Sequence, residues 1–315
     1  MIVKEKFTLN ESSDVYPSRG GRKAQLIERQ DPVLYAKNVD NSPIDDALVS
    51  QYEEQGFLVL ENVFNDSEVG YFRQELERLR KIDELRWAEG TITEAGSGDI
   101  RSVFKIHEIS SVFNKLASDV RLAGLAQYLL ADNVYIHQSR VNYKPGFRGK
   151  EFYWHSDFET WHVEDGMPRM RALSMSITLT ANHSYNGPLM LIPGSHRYYA
   201  VCEGETPAEH YRFSLKKQEC GVPDDGCLQQ LVDLGGIVTA TGKPGSVIVF
   251  DCNVMHGSNS NITPLPRSNA FFVYNAISNR VVEPYGGNPP RPEYLGARTH
   301  CKPITPQTHH YTTYE

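Results

Sequence analysis

Cysteine is scarce, with five residues in 315, at Cys202, Cys220, Cys227, Cys252 and Cys301. The count is odd, the spacings are wide and no CxxC pair occurs, which argues against a disulfide framework and against a zinc ribbon, so reduced thiols are expected. No apolar run reaches the roughly 18 to 20 residues that span a bilayer, and Met1–Lys6 carries none of the apolar stretch of a secretory leader. A cytoplasmic protein without a membrane partner is the expectation. A basic surplus is missing too: 32 Lys plus Arg stand against 39 Asp plus Glu, a net charge of −7. Nothing domain-wide is available to grip phosphate, so nucleic acid is not an expected partner. Fixed-period repeats and low-complexity tracts are also absent. What remains is ordinary globular material, 40% hydrophobic and 23% charged, long enough for a sizeable core.

Along the chain the first forty residues read as an extended arm laid on a later core, because Ser, Arg, Pro and Gly are scattered through them with weak periodicity. Ser42-Pro43 offers an N-cap with proline at N1, Ile44, Leu48 and Tyr52 recur at i+4, and Gly56 can close the helix. A short strand, Phe57–Leu60, should follow. Asn65 or Asp66 can cap a second helix in which Val69, Phe72, Leu76 and Leu79 form one stripe while Glu75, Glu77, Arg78 and Arg80 face water. The polar, Gly-containing stretch Asp83–Ser102 reads as a loop and, from its length, as a lid over something. A third helical region covers roughly Ser111–Ala131. Strands are expected near Val134–Tyr143, Arg171–Thr180, Pro188–Ile192, Ser246–Phe250 and Ala270–Ile277. Helices first and strands afterwards, without βαβ alternation, favour a mainly β fold, an antiparallel sandwich or barrel flanked by helices. No linker divides the chain. One domain over 1–315 is expected, with an N-terminal arm (1–40), a mostly helical flank (41–131), a β core (132–280) and a C-terminal tail (281–315).

Within the core, Leu173, Met175, Ile177 and Leu179 alternate with Ser174, Ser176 and Thr178, so one face of that strand is greasy and the other small and polar. A small polar face inside a barrel leaves room for a ligand; a solvated face is the other reading. The nearby segment Phe152–His162 places His155 and Asp157 two residues apart, pointing the same way if the backbone is extended. With a histidine from another strand they would complete the 2-His-1-carboxylate facial triad of non-haem Fe(II) sites. His256 is the candidate, since it follows the apolar strand Val247–Phe250 and precedes Gly257. Glu159 is the competing carboxylate, a further repeat away from His155 along an extended chain. Arg267 stands at the start of the next strand, where a guanidinium suits bidentate binding of a dicarboxylate's far end; a surface arginine after Pro264 and Pro266 is the plain alternative. His162, His183, His196, His210 and His309-His310 lack ligand spacing and are assigned to no metal.

Taken together, the HxD pair, the stretch Gly187–Arg197, the distal His256 and the following Arg267 resemble the phytanoyl-CoA dioxygenase-like family of Fe(II)/2-oxoglutarate oxygenases. The segments Gln138–Phe147 and Trp154–Pro168 resemble the branch of that family that hydroxylates ectoine, a cyclic amidine carboxylate, over a region from about Asp14 to Pro284. The resemblance implies a double-stranded β-helix (jelly-roll, cupin-like) core. It implies Fe(II) held by His155, Asp157 and His256, 2-oxoglutarate paired through its distal carboxylate with Arg267 and contacted by Lys144, and an ectoine pocket lined by Gln138, Thr160 and Trp161. The implied reaction consumes O2, releases succinate and CO2 and yields 5-hydroxyectoine, a stress-protective compatible solute; a homodimer is the implied assembly. Two alternatives stay open on the residues alone. One is a sister oxygenase acting on another small amino-acid-like substrate, the other a cupin-like metal-binding protein without oxygenase activity. A Ser/His/Asp hydrolase is disfavoured because no GxSxG elbow appears.

Overall fold

The computed structural model describes residues 14–36, 42–93, 100–207, 209–214 and 220–311. Those residues contain thirteen strands: β1 (Gln25–Glu28), β2 (Phe57–Leu60), β3 (Thr91–Thr93), β4 (Ile100–Phe104), β5 (Val134–Lys144), β6 (Phe152–His155), β7 (Ala172–Thr178), β8 (Leu189–Leu191), β9 (Tyr198–Val201), β10 (Val238–Ala240), β11 (Val247–Asp251), β12 (His256–Ser258) and β13 (Arg267–Ala276). A seven-stranded sheet runs β2-β11-β7-β13-β5-β4-β3 and a four-stranded sheet runs β10-β8-β12-β6. Every pairing within them is antiparallel. This is the double-stranded β-helix expected from the sequence, with β1 and β9 forming a separate two-stranded ribbon.

The period-2 pattern of β7 explains how the layers are divided. Leu173, Met175 and Ile177 are fully enclosed in the main apolar core, which also takes in the stripe of helix α2 (Asp66–Arg80), namely Val69, Phe72, Leu76 and Leu79. Helices therefore cover the outer face of the large sheet. The other face of β7 carries Ser174 and Ser176, also buried, and looks toward the small sheet. Asn65 caps α2 in a reciprocal capping box with Glu68.

Several local expectations give way. Helix α1 spans Asp46–Gln55, so Ser42 is not its cap: the Ser42 hydroxyl folds back on Ile44. Gly56 does end the helix, at φ +84°, where an added Cβ would lie 2.4 Å from the His196 ring. Glu75 does not face water; it sits on the edge of the buried stripe, three residues beyond Phe72, and bonds Arg78 and the Ser110 hydroxyl. The Asp83–Ser102 loop contains a helical turn (Asp83–Arg86), the edge strand β3 and part of its neighbour β4, with 94–99 outside the described residues. The third helical region is broken, with an α-helix at Ser111–Ala117 and a π-helical turn at Val120–Gly124 before Leu125–Leu130. Asp119 is the reason: its side chain accepts from the Arg121 amide and starts a new helical segment there. The 1–40 arm is described only for 14–36, where it holds β1 and lodges Tyr16 in a buried cluster with Phe158 and Tyr199.

Candidate metal and dicarboxylate site

Strands β6 and β12 are neighbours, and their register sets His155 directly opposite His256. The extended run ends sooner than the sequence suggested. Ser156 is still extended (φ −103°, ψ 131°), but Asp157 opens a helical turn, Asp157–Thr160, whose Phe158 amide donates to the Cys252 carbonyl at 2.8 Å. That bend swings the Asp157 carboxylate back against both rings, 3.7 Å from His155 Nε2 and 3.9 Å from His256 Nε2. The three ligand atoms all lie within 4.8 Å of one another, and all three side chains are buried.

Each histidine is oriented by its other nitrogen. His155 Nδ1 bonds the Tyr153 carbonyl at 2.8 Å and His256 Nδ1 bonds the Val254 carbonyl at 2.9 Å. A carbonyl only accepts, so each Nδ1 carries a proton, and Nε2 is the ring nitrogen of each histidine turned toward the shared gap. Burial, reinforced by the neighbouring His256, pushes the His155 imidazole down to about 3 and keeps it neutral, the ligating form. The Ser174 hydroxyl points to Asp157 Oδ2 at 3.3 Å from the polar face of β7. Two imidazole nitrogens and one carboxylate on one side of a buried gap fit a first-row divalent ion with open positions. Glu159, the rival carboxylate, is turned away by the helical bend and gripped by Arg19 through two bonds of 2.9 and 2.6 Å.

The gap opens into a cavity of about 170 Å³ between the sheets. At one end Arg267 and Lys144 stand opposite each other on β13 and β5. Lys144 Nζ is anchored to Ser258 Oγ (2.9 Å) and the Asn259 carbonyl (2.7 Å). Arg267 Nε is enclosed without a hydrogen-bond partner, and burial pushes the guanidinium down to about 10. An unpartnered, half-buried cation whose Nε is enclosed, beside a metal gap, is suited to an anion. Toward the other end, Gln138 donates to the Leu295 carbonyl at 2.7 Å and accepts from Arg140. Thr160 Oγ1 is enclosed with no partner, and Trp161 meets the His137 ring edge-on at 5.3 Å. All eight residues singled out in the sequence line this one cavity.

The sequence reading missed Arg140, Asn142, Asn269, Phe271 and Arg291, which line the same cavity, whereas Ser176 lines it from the small polar face of β7 that the alternation offered for a ligand. Period 2 would have found most of them. Gln138, Arg140, Asn142 and Lys144 share one face of β5, and Arg267, Asn269 and Phe271 share one face of β13. Arg140 lies half-buried over Phe271, its carbon Cζ 4.3 Å from the ring centroid, and desolvation lowers its affinity for the proton. Arg291 comes from a tail segment with no periodicity and left no signal.

Residues 52–269 match the phytanoyl-CoA dioxygenase family. The ectoine dioxygenase of Sphingopyxis alaskensis is 55% identical over 285 residues, covering 90% of this chain and 93% of that protein. The ectoine dioxygenase of Stutzerimonas stutzeri is 53% identical over 292 residues, covering 93% and 97%. Among solved structures, EctD from S. alaskensis with 2-oxoglutarate and 5-hydroxyectoine superposes with a TM-score of 0.84 at 49% identity, covering 95% of this chain and 99% of that one. The same protein with bound Fe gives 0.85 at 48% identity, covering 94% and 99%.

Proposed function

From its membership of the phytanoyl-CoA dioxygenase family, to which the chain belongs, we propose the hydroxylation of ectoine to 5-hydroxyectoine with Fe(II), 2-oxoglutarate and O2. One oxygen atom enters the ectoine ring; the other enters succinate as CO2 leaves. The observation that carries the reading is the juxtaposition of two imidazoles and a carboxylate with the unpartnered Arg267 guanidinium in one cavity. His155, Asp157 and His256 would hold the iron, which supplies the redox chemistry that activates O2.

The chain's own residues do the rest. Arg267, helped by Lys144, binds the distal carboxylate of 2-oxoglutarate and so orients its keto-acid end toward the triad. The Arg140 guanidinium supplies donors for the carboxylate of ectoine, the Thr160 hydroxyl and the Gln138 side-chain oxygen offer acceptors to its amidine N–H, and Trp161 gives an apolar face. Ile92, Arg101, Ser102 and Phe104, from the Asp83–Ser102 segment and the strand it enters, wall the same cavity and exclude water from it. The reading extends to one catalytic domain over 1–315, acting in the cytoplasm as a homodimer. Among the described residues no helix is long and apolar enough to cross a membrane.

The test is anaerobic loading with Fe(II) and 2-oxoglutarate, then O2 with and without ectoine, following succinate and the mass of ectoine. A gain of one oxygen atom matched to succinate is expected, and its loss in His155→Ala. Succinate without hydroxylation retains the oxygenase and discards the substrate; metal binding without succinate points to the non-oxygenase cupin.

A further inference from the structure

We infer that Asn253, with Ser156, is a positioning bracket that sets the spacing between the His155/Asp157 pair and His256, and thereby the metal affinity of the site. This rests on the assignment of those three residues as the iron ligands.

The ligands come from two segments far apart in sequence, which the backbone joins through the β6–β12 pairing and the Phe158–Cys252 bond; between those two ties, the turn residues Ser156 and Asn253 add a side-chain link. Ser156 lies between His155 and Asp157; Asn253 lies three residues before His256, in the turn between β11 and β12. Both are almost completely buried. The Ser156 hydroxyl donates to Asn253 Oδ1 at 2.9 Å, a direct strut between the two turns. The amide nitrogen of the same side chain donates to two more carbonyls, those of His196 (3.0 Å) and Tyr198 (2.9 Å), so three segments meet on one side chain. Its backbone amide donates to Asp251 Oδ1 at 2.8 Å, and Asp251 is itself pinned by the buried Arg29 at 2.7 Å. Arg29 thereby extends the bracket into the N-terminal arm.

The chemistry requires an amide here. Both Nδ2 protons are spent on carbonyls and Oδ1 accepts from a hydroxyl, so every polar atom of the side chain is used in a space closed to water. An isosteric aspartate would set a carboxylate oxygen against two carbonyl oxygens and open the bracket without changing volume. The bracket is distinct from the bonds that orient each ring, which run to Tyr153 and Val254 within each histidine's own segment. Those set ring rotation; the Ser156–Asn253 strut, acting beside the β6–β12 pairing and the Phe158–Cys252 bond, holds the two turns at fixed spacing.

The test uses the full-length chain, with Ser156→Ala and Asn253→Asp compared with the wild type. Tyr274→Phe, which removes a buried hydroxyl bond to the Ala117 carbonyl far from the site, serves as the control for lost stability. Anaerobic Fe(II) titration and the visible charge-transfer absorption of the Fe(II)–2-oxoglutarate chelate are the readouts, beside apo-protein melting. Fe(II) affinity is expected to fall at least about tenfold in Ser156→Ala and further in Asn253→Asp, with a shifted or weakened absorption band. Tyr274→Phe should lose stability while keeping wild-type affinity and spectrum. Unchanged Fe(II) affinity in both site variants overturns the bracket, as does an equal affinity loss in the control. Failure of the wild type to bind Fe(II) overturns the ligand assignment and the bracket with it.

Discussion

Replacing Arg267 with methionine should make the metal-free, ligand-free protein more stable while destroying its hold on 2-oxoglutarate. The guanidinium Nε is enclosed without a partner, and burial alone lowers the group from its ordinary value to about 10. At about 1.36 kcal/mol per pH unit, that difference corresponds to an upper figure of about 3 kcal/mol by which the empty site disfavours the charge. Methionine fills similar length without the charge, so the apo melting temperature should rise by a few degrees. The ligand-bound state loses the opposite way. Truncating one partner of a buried charge pair costs roughly 2 to 5 kcal/mol, so 2-oxoglutarate should bind about a hundredfold more weakly. The assay is differential melting with and without 2-oxoglutarate in the presence of a redox-inert divalent metal, followed by the KM for 2-oxoglutarate. Lower apo stability in the variant together with unchanged 2-oxoglutarate affinity would refute the reasoning, because it would mean that the guanidinium already has a stabilising partner inside the protein.

Arg291 makes two bonds to the buried Asp165, at 2.7 and 2.5 Å, and although burial acts to raise it the guanidinium holds that carboxyl down to about 2. Arg291→Met should therefore cost about 3 kcal/mol in urea unfolding, and the double variant with Asp165→Asn should recover part of it. His196 is fully buried and burial pushes it down to about 4, so the unfolded chain takes up this proton near pH 6.5 while the folded one resists. Its contribution is complete above pH 6.5 and erodes as the pH falls toward 4; His196→Gln should shrink the stability lost between pH 7.5 and 5 by about 2 kcal/mol. Gly166 has φ +80° and an added Cβ would lie 1.9 Å from the Val282 carbonyl, so Gly166→Ala should lower stability by roughly 3 kcal/mol or more in the same assay.

Sequence alone determined the helix stripe of α2, the alternation of β7, the HxD pair, the distal histidine and the basic residue after it. These are local regularities or spacings carried by the chain itself, and a family likeness turned them into an iron site. Tertiary structure decided what those residues do together. Register placed His155 opposite His256 and Arg267 opposite Lys144, and register depends on pairings between segments about a hundred residues apart. The bend at Asp157 follows from the Phe158–Cys252 bond and overrode an extended reading that periodicity favoured. The burial of Glu75, the removal of Glu159 by Arg19 and the arrival of Arg291 from the tail likewise depend on partners distant in sequence. A side chain's type fixes what chemistry it offers, whereas only packing fixes its charge environment, its orientation and its partner.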